Sequence, residues 1–461
     1  MPLRRNVTPW ASAALALTAL LAAGCAGSAG SAEDDGRSAA RTSPGTSPDT
    51  SAGTPHGYVE GAQEAAGQQS RLLLNDPGTG SGRVLDLVTG ETHETTPVRG
   101  AVRLGTDGRF GYLHTAGGTR VIDGGAWTVD HGDHVHYYSA AVRDVGELPA
   151  GARAQVRADV TVTAVTDEKG RATLYERTDL ERGGIGPART LPGTYTGAVV
   201  PYEEHLLAFT DEGGGPELVV LDREGERVAA PGVACERPRG DAVTRRGVIF
   251  GCADGALLVR AADGAGGAFT AEPIPYGREV PARERATSFR HRPGSDTLTA
   301  VAGGDAVWVL DVAARTWTRV DTGPVVAANT AGEGSPLLVL ETDGALHGYD
   351  IATGQRTART RPLLSTRPLL STGTRTDTGE RTDTGERTGT GERTGTGTRT
   401  GTGTRTDTGA GAAVIEVDRS RAYLNDPEGK RVFEIDYADD LRLARTFDLD
   451  IAPVLMAETG R

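Results

Sequence analysis

Short apolar runs, most of them closed by an aspartate and followed by a turn residue, recur along the chain at near-regular intervals. They read Val84-Leu85-Asp86 before Thr89-Gly90-Glu91, Val121-Ile122-Asp123 before Gly124-Gly125, and Val220-Leu221-Asp222 before Glu224-Gly225-Glu226. Val309-Leu310-Asp311, Gly348-Tyr349-Asp350 before Thr353-Gly354, and Glu434-Ile435-Asp436 continue the series. Runs this short read as strands, and Asp with Gly supplies the turn that sends the chain back. Two intervals are of double length, and each holds a further hairpin: Ala172 to Tyr175 after Glu168-Lys169-Gly170, and Ala256 to Val259 after Asp254-Gly255. Helical periodicity is nearly absent.

A small antiparallel sheet with two apolar faces cannot bury both by itself, so repeats of roughly 40 to 50 residues stack side by side into a ring. The pattern therefore predicts an all-β fold, a β-propeller of eight blades, with seven the alternative count. Polar linker precedes the first hairpin, whereas Ala452 to Ala457 is an apolar run left over after the last. The expected closure has the C-terminal strand pairing into the first blade. Leu74-Asn75-Asp76-Pro77 and Leu424-Asn425-Asp426-Pro427 repeat one turn in the two outermost units, in keeping with that closure.

The chain's first residues have a different character. Arg4 and Arg5, the apolar stretch Ala11 to Ala23 and the small residues before Cys25 resemble a bacterial lipoprotein signal, so residues 1–24 read as a signal peptide. In that class the cysteine is diacylated, which makes Cys25 the lipidation site; an ordinary secretory signal is the alternative. The apolar run is too short to span a bilayer, and stable anchoring takes two acyl signals. The expected location is the extracytoplasmic face of the cell membrane, or outside the cell if Cys25 carries no lipid. Residues 25–67 are rich in Ser, Gly, Ala, Thr and Pro and read as a disordered tether, leaving 68–461 for the propeller. Within it, 361–411 is a low-complexity insert: Arg361 to Thr366 is repeated at once, and Arg then recurs every sixth residue from 375 to 405.

A formal net charge of −13 argues against nucleic acid as a partner, since phosphates demand basic patches. No Gly-x-Ser-x-Gly elbow, phosphate loop or placeable acid pair is present, so no enzymatic activity is expected. Cys235 and Cys252 flank one strand in an exported, oxidising setting and are expected to form a disulfide, with a zinc-binding or reactive thiol pair as the alternative.

The densest chemistry lies in Asp130-His131-Gly132-Asp133-His134-Val135-His136-Tyr137-Tyr138. Imidazoles beside carboxylates are what zinc takes as ligands, which makes His131, Asp133, His134 and His136 the candidate metal residues. His131 and His134 can converge in a turn, while His134 and His136 project to the same side of an extended segment. A His-rich polar surface loop is the alternative reading. His93, His114, His205, His291 and His347 each stand singly and read as structural.

Three stretches carry a resemblance to a known family: Trp127 to His136, Val233 to Val259, and Leu340 to Gly354. They are similar to the exported zinc metallochaperone that accompanies zinc-specific ABC importers, the AztD type, over most of residues 69–461 apart from the insert. The resemblance implies a propeller that binds zinc outside the cytoplasm and hands it to the importer's solute-binding protein. Residue by residue, His131, Asp133 and His134 match the family's His-rich loop, and Cys235 and Cys252 match its disulfide. Where typical members carry further histidines facing the ring's centre, this chain has Ala154, Ala158, Thr194-Tyr195-Thr196, Arg239 and Val326, so the central site is expected to be missing or rebuilt. A metal-free propeller serving as a surface platform for protein or glycan is the alternative function.

Overall fold

A computed structural model describes residues 59–130, 134–211, 214–262, 268–365 and 413–461. Each Asp of the sequence pattern caps the turn it was expected to make. Its Oδ1 accepts a backbone N–H two or three residues on: from Val88 and Thr89 at Asp86 (2.9 and 3.0 Å), from Ala314 at Asp311 (2.8 Å), and from Thr353 at Asp350 (2.7 Å). Asp123, Asp222 and Asp436 hold Gly125, Glu224 and Ala438 in the same way. The side chain mimics a backbone turn, so the reversal is encoded locally.

The hairpins fall in eight successive antiparallel sheets. In the first, Leu455–Thr459 pairs with Arg71–Asn75, followed by Gly82–Asp86 and Thr92–Thr95. The second contains Arg103–Thr106, Phe110–His114, Thr119–Asp123 and Arg143–Leu148. Leading strands of the third to fifth are Gln155–Ala158, Val200–Tyr202 and Asp241–Thr244. The sixth, three-stranded, leads with Thr297–Ala302, and the last two with Val325–Thr330 and Ile415–Val417. Among the described residues one short α-helix, Arg177–Glu181, interrupts the series. Among the described residues no helix is long and apolar enough to cross a membrane.

Period-2 side-chain alternation lets one strand serve two neighbours. Leu73 and Val84 of the first sheet pack against Leu113 and Ile122 of the second, while Leu72, Leu74 and Leu85 pack against Tyr423 and Val432 of the eighth. The seventh divides likewise: Leu337 and Val339 meet Val307 and Val309 of the sixth, and Leu338 and Leu340 meet Leu424 and Phe433 of the eighth. Every sheet shares an apolar cluster with the next, and the eighth shares one with the first. The C-terminal strand runs antiparallel to Arg71–Asn75 in unbroken register, from Arg71 opposite Thr459 to Asn75 opposite Leu455.

Two features depart from a plain repeat. Between Thr119–Asp123 and its partner Arg143–Leu148 the chain detours into a hairpin, Ala126–Asp130 with Val135–Ser139. That hairpin takes a third strand, Gln63–Ala65, from the stretch expected to be tether, because Val135–Ser139 offers it a free edge. The insert begins in order as well: Leu364 is buried against Ile415 and Leu340, so residues 361–365 belong to the packed structure. The rest of the insert, the signal segment, Cys25 and most of the tether lie outside the described residues. Cys235 and Cys252 form a disulfide with 5.2 Å between Cα atoms, which rules out the alternative of a free thiol pair. Closing a loop of that length contributes about 3 kcal/mol on the chain-entropy account.

Candidate metal centre

The His-bearing hairpin is fixed to the second sheet by stacked charge and aromatic rings. The Arg109 guanidinium, buried and paired with Asp123 at 3.0 Å, lies 3.7 Å over the Trp127 ring. Trp127 stacks on Tyr138 at 5.4 Å, and Tyr138 on His136 at 6.2 Å. Arg71 adds bonds to the Gly124 and Ala140 carbonyls (2.9 and 3.1 Å) and to the Ser139 hydroxyl (3.0 Å). Of the four expected metal residues, His131 and Asp133 lie outside the described residues. His134 and His136 come together, their ring centroids 4.9 Å apart. Glu64, from the stretch expected to be tether, reaches His136 Nδ1 at 2.7 Å. A carboxylate accepting from Nδ1–H fixes the tautomer and makes Nε2 the ligating atom, the arrangement seen behind metal-bound imidazoles generally.

A second cluster was not anticipated. The hairpin joining Leu337–Glu341 to Leu346–Tyr349 places Glu341 at the end of one strand, Asp343 in the turn and His347 on the return strand. One ligand atom from each lies within 4.8 Å of the other two. His347 is buried, and its Nε2 sits 3.2 Å from Asp343 Oδ2 and 3.6 Å from Glu341 Oε2. Glu341 is oriented by the Tyr349 hydroxyl and the Gly323 N–H. Burial alone would raise the Asp343 carboxyl, but the hydrogen bond from Arg359 at 2.8 Å, the Ala345 N–H and His347 outweigh it and hold the group at about 2. Asp343 is thus a carboxylate throughout the neutral range. Asp343 is the most exposed of the three and gives the approach from solvent. The proton that Nε2 donates to Asp343 occupies the place a cation would take, so ligation by this triad must release it. Two carboxylates and one imidazole suit zinc or a similar divalent ion. His347, which stands singly in the sequence, is thus hydrogen-bonded to Asp343 and lies beside a second carboxylate in the fold. The signal was present as Glu341-x-Asp343-Gly344-x-x-His347, a turn whose register brings its two ends together.

His114, His205 and His291 are each held by neighbouring protein groups. Thr119 gives its hydroxyl proton to the Ala150 carbonyl at 2.7 Å and so accepts from His114 Nδ1 at 2.9 Å. Burial, with Arg103 and Arg157 nearby, lowers His114 to about 3, and burial with Arg461 lowers His291 to about 4. Neither ring charges at ordinary pH. His205 rests against Phe269 and the Glu203 carbonyl.

Two cavities of about 440 and 290 Å³ share Arg103, Arg157, Ser288 and Phe289 in their walls. Together they touch the leading segment of every sheet, from Arg103, Arg157, Gly197 and Asp241 to Ser288, Asn329, Glu416 and Ala457. Arg239 and Thr196 line this space, as expected. Val326 instead packs between the seventh and eighth sheets, and Tyr195 turns inward to bond the Pro192 carbonyl. In a separate pocket that also touches Thr128, Asp130 and Tyr137 of the His hairpin, Glu458 is fully buried and its carboxyl is raised to about 7 by burial, Arg461 opposing and Glu416 and Asp418 reinforcing. An acid whose folded pKa is raised holds its proton longer when native, so stability falls as pH climbs from about 4.5 to about 7. Above that window the ionised group costs the fold about 3 kcal/mol. Glu458→Gln is expected to raise the unfolding free energy by about that much at pH 8 and by little at pH 4. Urea denaturation at the two pH values checks this, and an equal change at both would refute it.

The arrangement of sheets has a counterpart among solved proteins. The fold is similar to that of AztD from Citrobacter koseri. Two structures of AztD, one of them apo, superpose with TM-score 0.62 at 17% and 15% identity, each over 85% of this chain and 98% of AztD. At that identity the likeness to AztD is one of fold, which is of the β-propeller type. No family model and no curated protein matches the sequence.

Proposed function

We propose that the chain is an AztD-like zinc-binding protein without catalytic activity. In this reading the eight sheets are the blades of a closed ring, sealed by Leu455–Thr459 beside Arg71–Asn75. Cys25 carries the lipid that tethers the ring to the outer face of the cell membrane. The metal passes by ligand exchange to the solute-binding protein of a zinc ABC importer. One observation carries the proposal: Glu341, Asp343 and His347 bring an imidazole nitrogen and two carboxylate oxygens within 4.8 Å on one hairpin. The His134–His136 pair backed by Glu64 is a second, more exposed ligand set, suited to exchange with a partner.

Isothermal titration of the protein with zinc tests this. Binding at micromolar affinity or tighter is expected, with affinity falling as pH drops through the imidazole range, because the ligand must be neutral. His347→Ala is expected to weaken binding at least tenfold, about 1.4 kcal/mol or more. Absence of micromolar binding, or undiminished binding when His134, His136 and His347 are all changed to Ala, removes the proposal.

A further inference from the structure

We infer that the larger central cavity is a binding site for a small, multiply charged oxyanion, carboxylate or phosphate. The inference is independent of zinc. Four arginines line the cavity, Arg103, Arg153, Arg157 and Arg239, against a single carboxylate, Asp241. That carboxylate is already used. Arg157 holds it with both arms of its fork, Nη2 to Oδ2 at 2.9 Å and Nε to Oδ1, and the Asp241 side chain is almost fully buried. The pair runs from the leading strand of the third sheet to that of the fifth, past the fourth, and braces the cavity wall. The cavity therefore keeps a formal excess of three positive charges, 4 − 1, in a chain whose net charge is −13.

The surplus arginines stand on fixed backbone. Arg103 donates to the carbonyl of Ala154, the residue after Arg153, which keeps these two side chains in one neighbourhood. Arg239 donates its backbone N–H to Gly251 at 2.9 Å and is followed by Gly240 at φ +70°. A Cβ at Gly240 would meet the Thr287 carbonyl at 2.6 Å, so the fifth and sixth sheets touch here through backbone and only glycine fits. Among the described residues, neither Arg153 nor Arg239 has a side-chain hydrogen bond or ion pair, and both are exposed to the cavity. Thr196 and Ser288 add hydroxyls, while Phe209 and Phe250, packed edge to face at 5.1 Å, make an apolar wall.

Unneutralised charges of one sign in a concave site with low-dielectric walls focus the potential and concentrate counter-ions. Guanidinium forks match the paired oxygens of carboxylate and phosphate, and several of them together favour a ligand carrying more than one charge over a halide. A volume of about 440 Å³ lies within the range of small-molecule sites.

The test is calorimetric titration of the full chain, in metal-depleted buffer at low ionic strength, with citrate and separately with pyrophosphate, chloride serving as control. Binding tighter than about 100 µM is expected for at least one oxyanion, weakening as salt is added. Which of the two binds distinguishes a carboxylate from a phosphate ligand. The double variant Arg153→Gln/Arg239→Gln is expected to lose at least tenfold in affinity. Both positions are exposed, so its unfolding midpoint without anion should equal the parent's. Arg260→Gln, on the outer part of the fifth sheet, should leave binding unchanged. Should neither oxyanion bind more tightly than millimolar, or should the double variant bind as well as the parent, the inference is wrong.

Discussion

A chain cut after Val454 is expected to lose cooperative folding. The deleted strand, Leu455–Thr459, is buried along its whole length and is the partner on that side for Arg71–Asn75, itself fully buried. Its removal exposes the Leu73 and Val84 cluster on one face and the Leu72 and Leu74 cluster on the other. Burying Leu455 and Met456 is worth about 1.5–3 kcal/mol each, and five lost ladder positions add to that. The total approaches the whole stability of an ordinary domain, about 5–15 kcal/mol. Thermal unfolding followed by circular dichroism should show no sigmoidal transition, and a synthetic peptide of residues 453–461 added in trans should restore one. A truncated chain that melts cooperatively within a few degrees of the full one would show that the terminal strand does not hold the sheets together.

Asp123→Ala is expected to destabilise by about 3–5 kcal/mol, the range for breaking a buried ion pair from one side. Asp123 is almost fully buried and accepts from Arg109 at 3.0 Å, from Arg143 at 2.9 Å and from the Gly125 N–H at 2.9 Å. Removing it leaves the buried Arg109 guanidinium with Glu181 at 3.6 Å as its remaining carboxylate among the described residues. The same guanidinium stacks on Trp127, so the His hairpin should loosen with it. Denaturant titration measures the first effect, and Trp127 fluorescence follows the second. A loss below about 1 kcal/mol would show the network to be peripheral. Asp123→Asn, which keeps an acceptor for Gly125, should lie between the two.

Much of the fold was legible because its signals are local. An Asp that caps its own turn needs no distant partner, so Asp86, Asp222 and Asp350 marked hairpins correctly, and their spacing located the two intervening ones. The leftover apolar run at the end was likewise readable as a strand without a neighbour. Harder to see was the hairpin at Ala126–Ser139, since nothing in its sequence says that the chain will return to Arg143–Leu148 to complete the second sheet. Glu64 is illegible in the sequence for the same reason: three residues of polar linker become a strand only because an edge is waiting for them.

Among candidate ligands, His134 and His136 were found together because alternation along a strand puts them on one side. His347 is the single histidine of its segment, and its two carboxylates join it through the register of the Leu337–Glu341 hairpin. What the amino-acid order determined alone was the repeated hairpin, the all-β character and the cysteine pair, all products of short-range geometry or of composition. Tertiary structure decided which side chains share a space. Arg103, Arg153 and Arg239 come from different sheets and meet around one cavity only because sheets that cannot cover their own faces must pack against the next. Convergence of that kind depends on how many sheets stack and at what angle, which no local pattern of residues records.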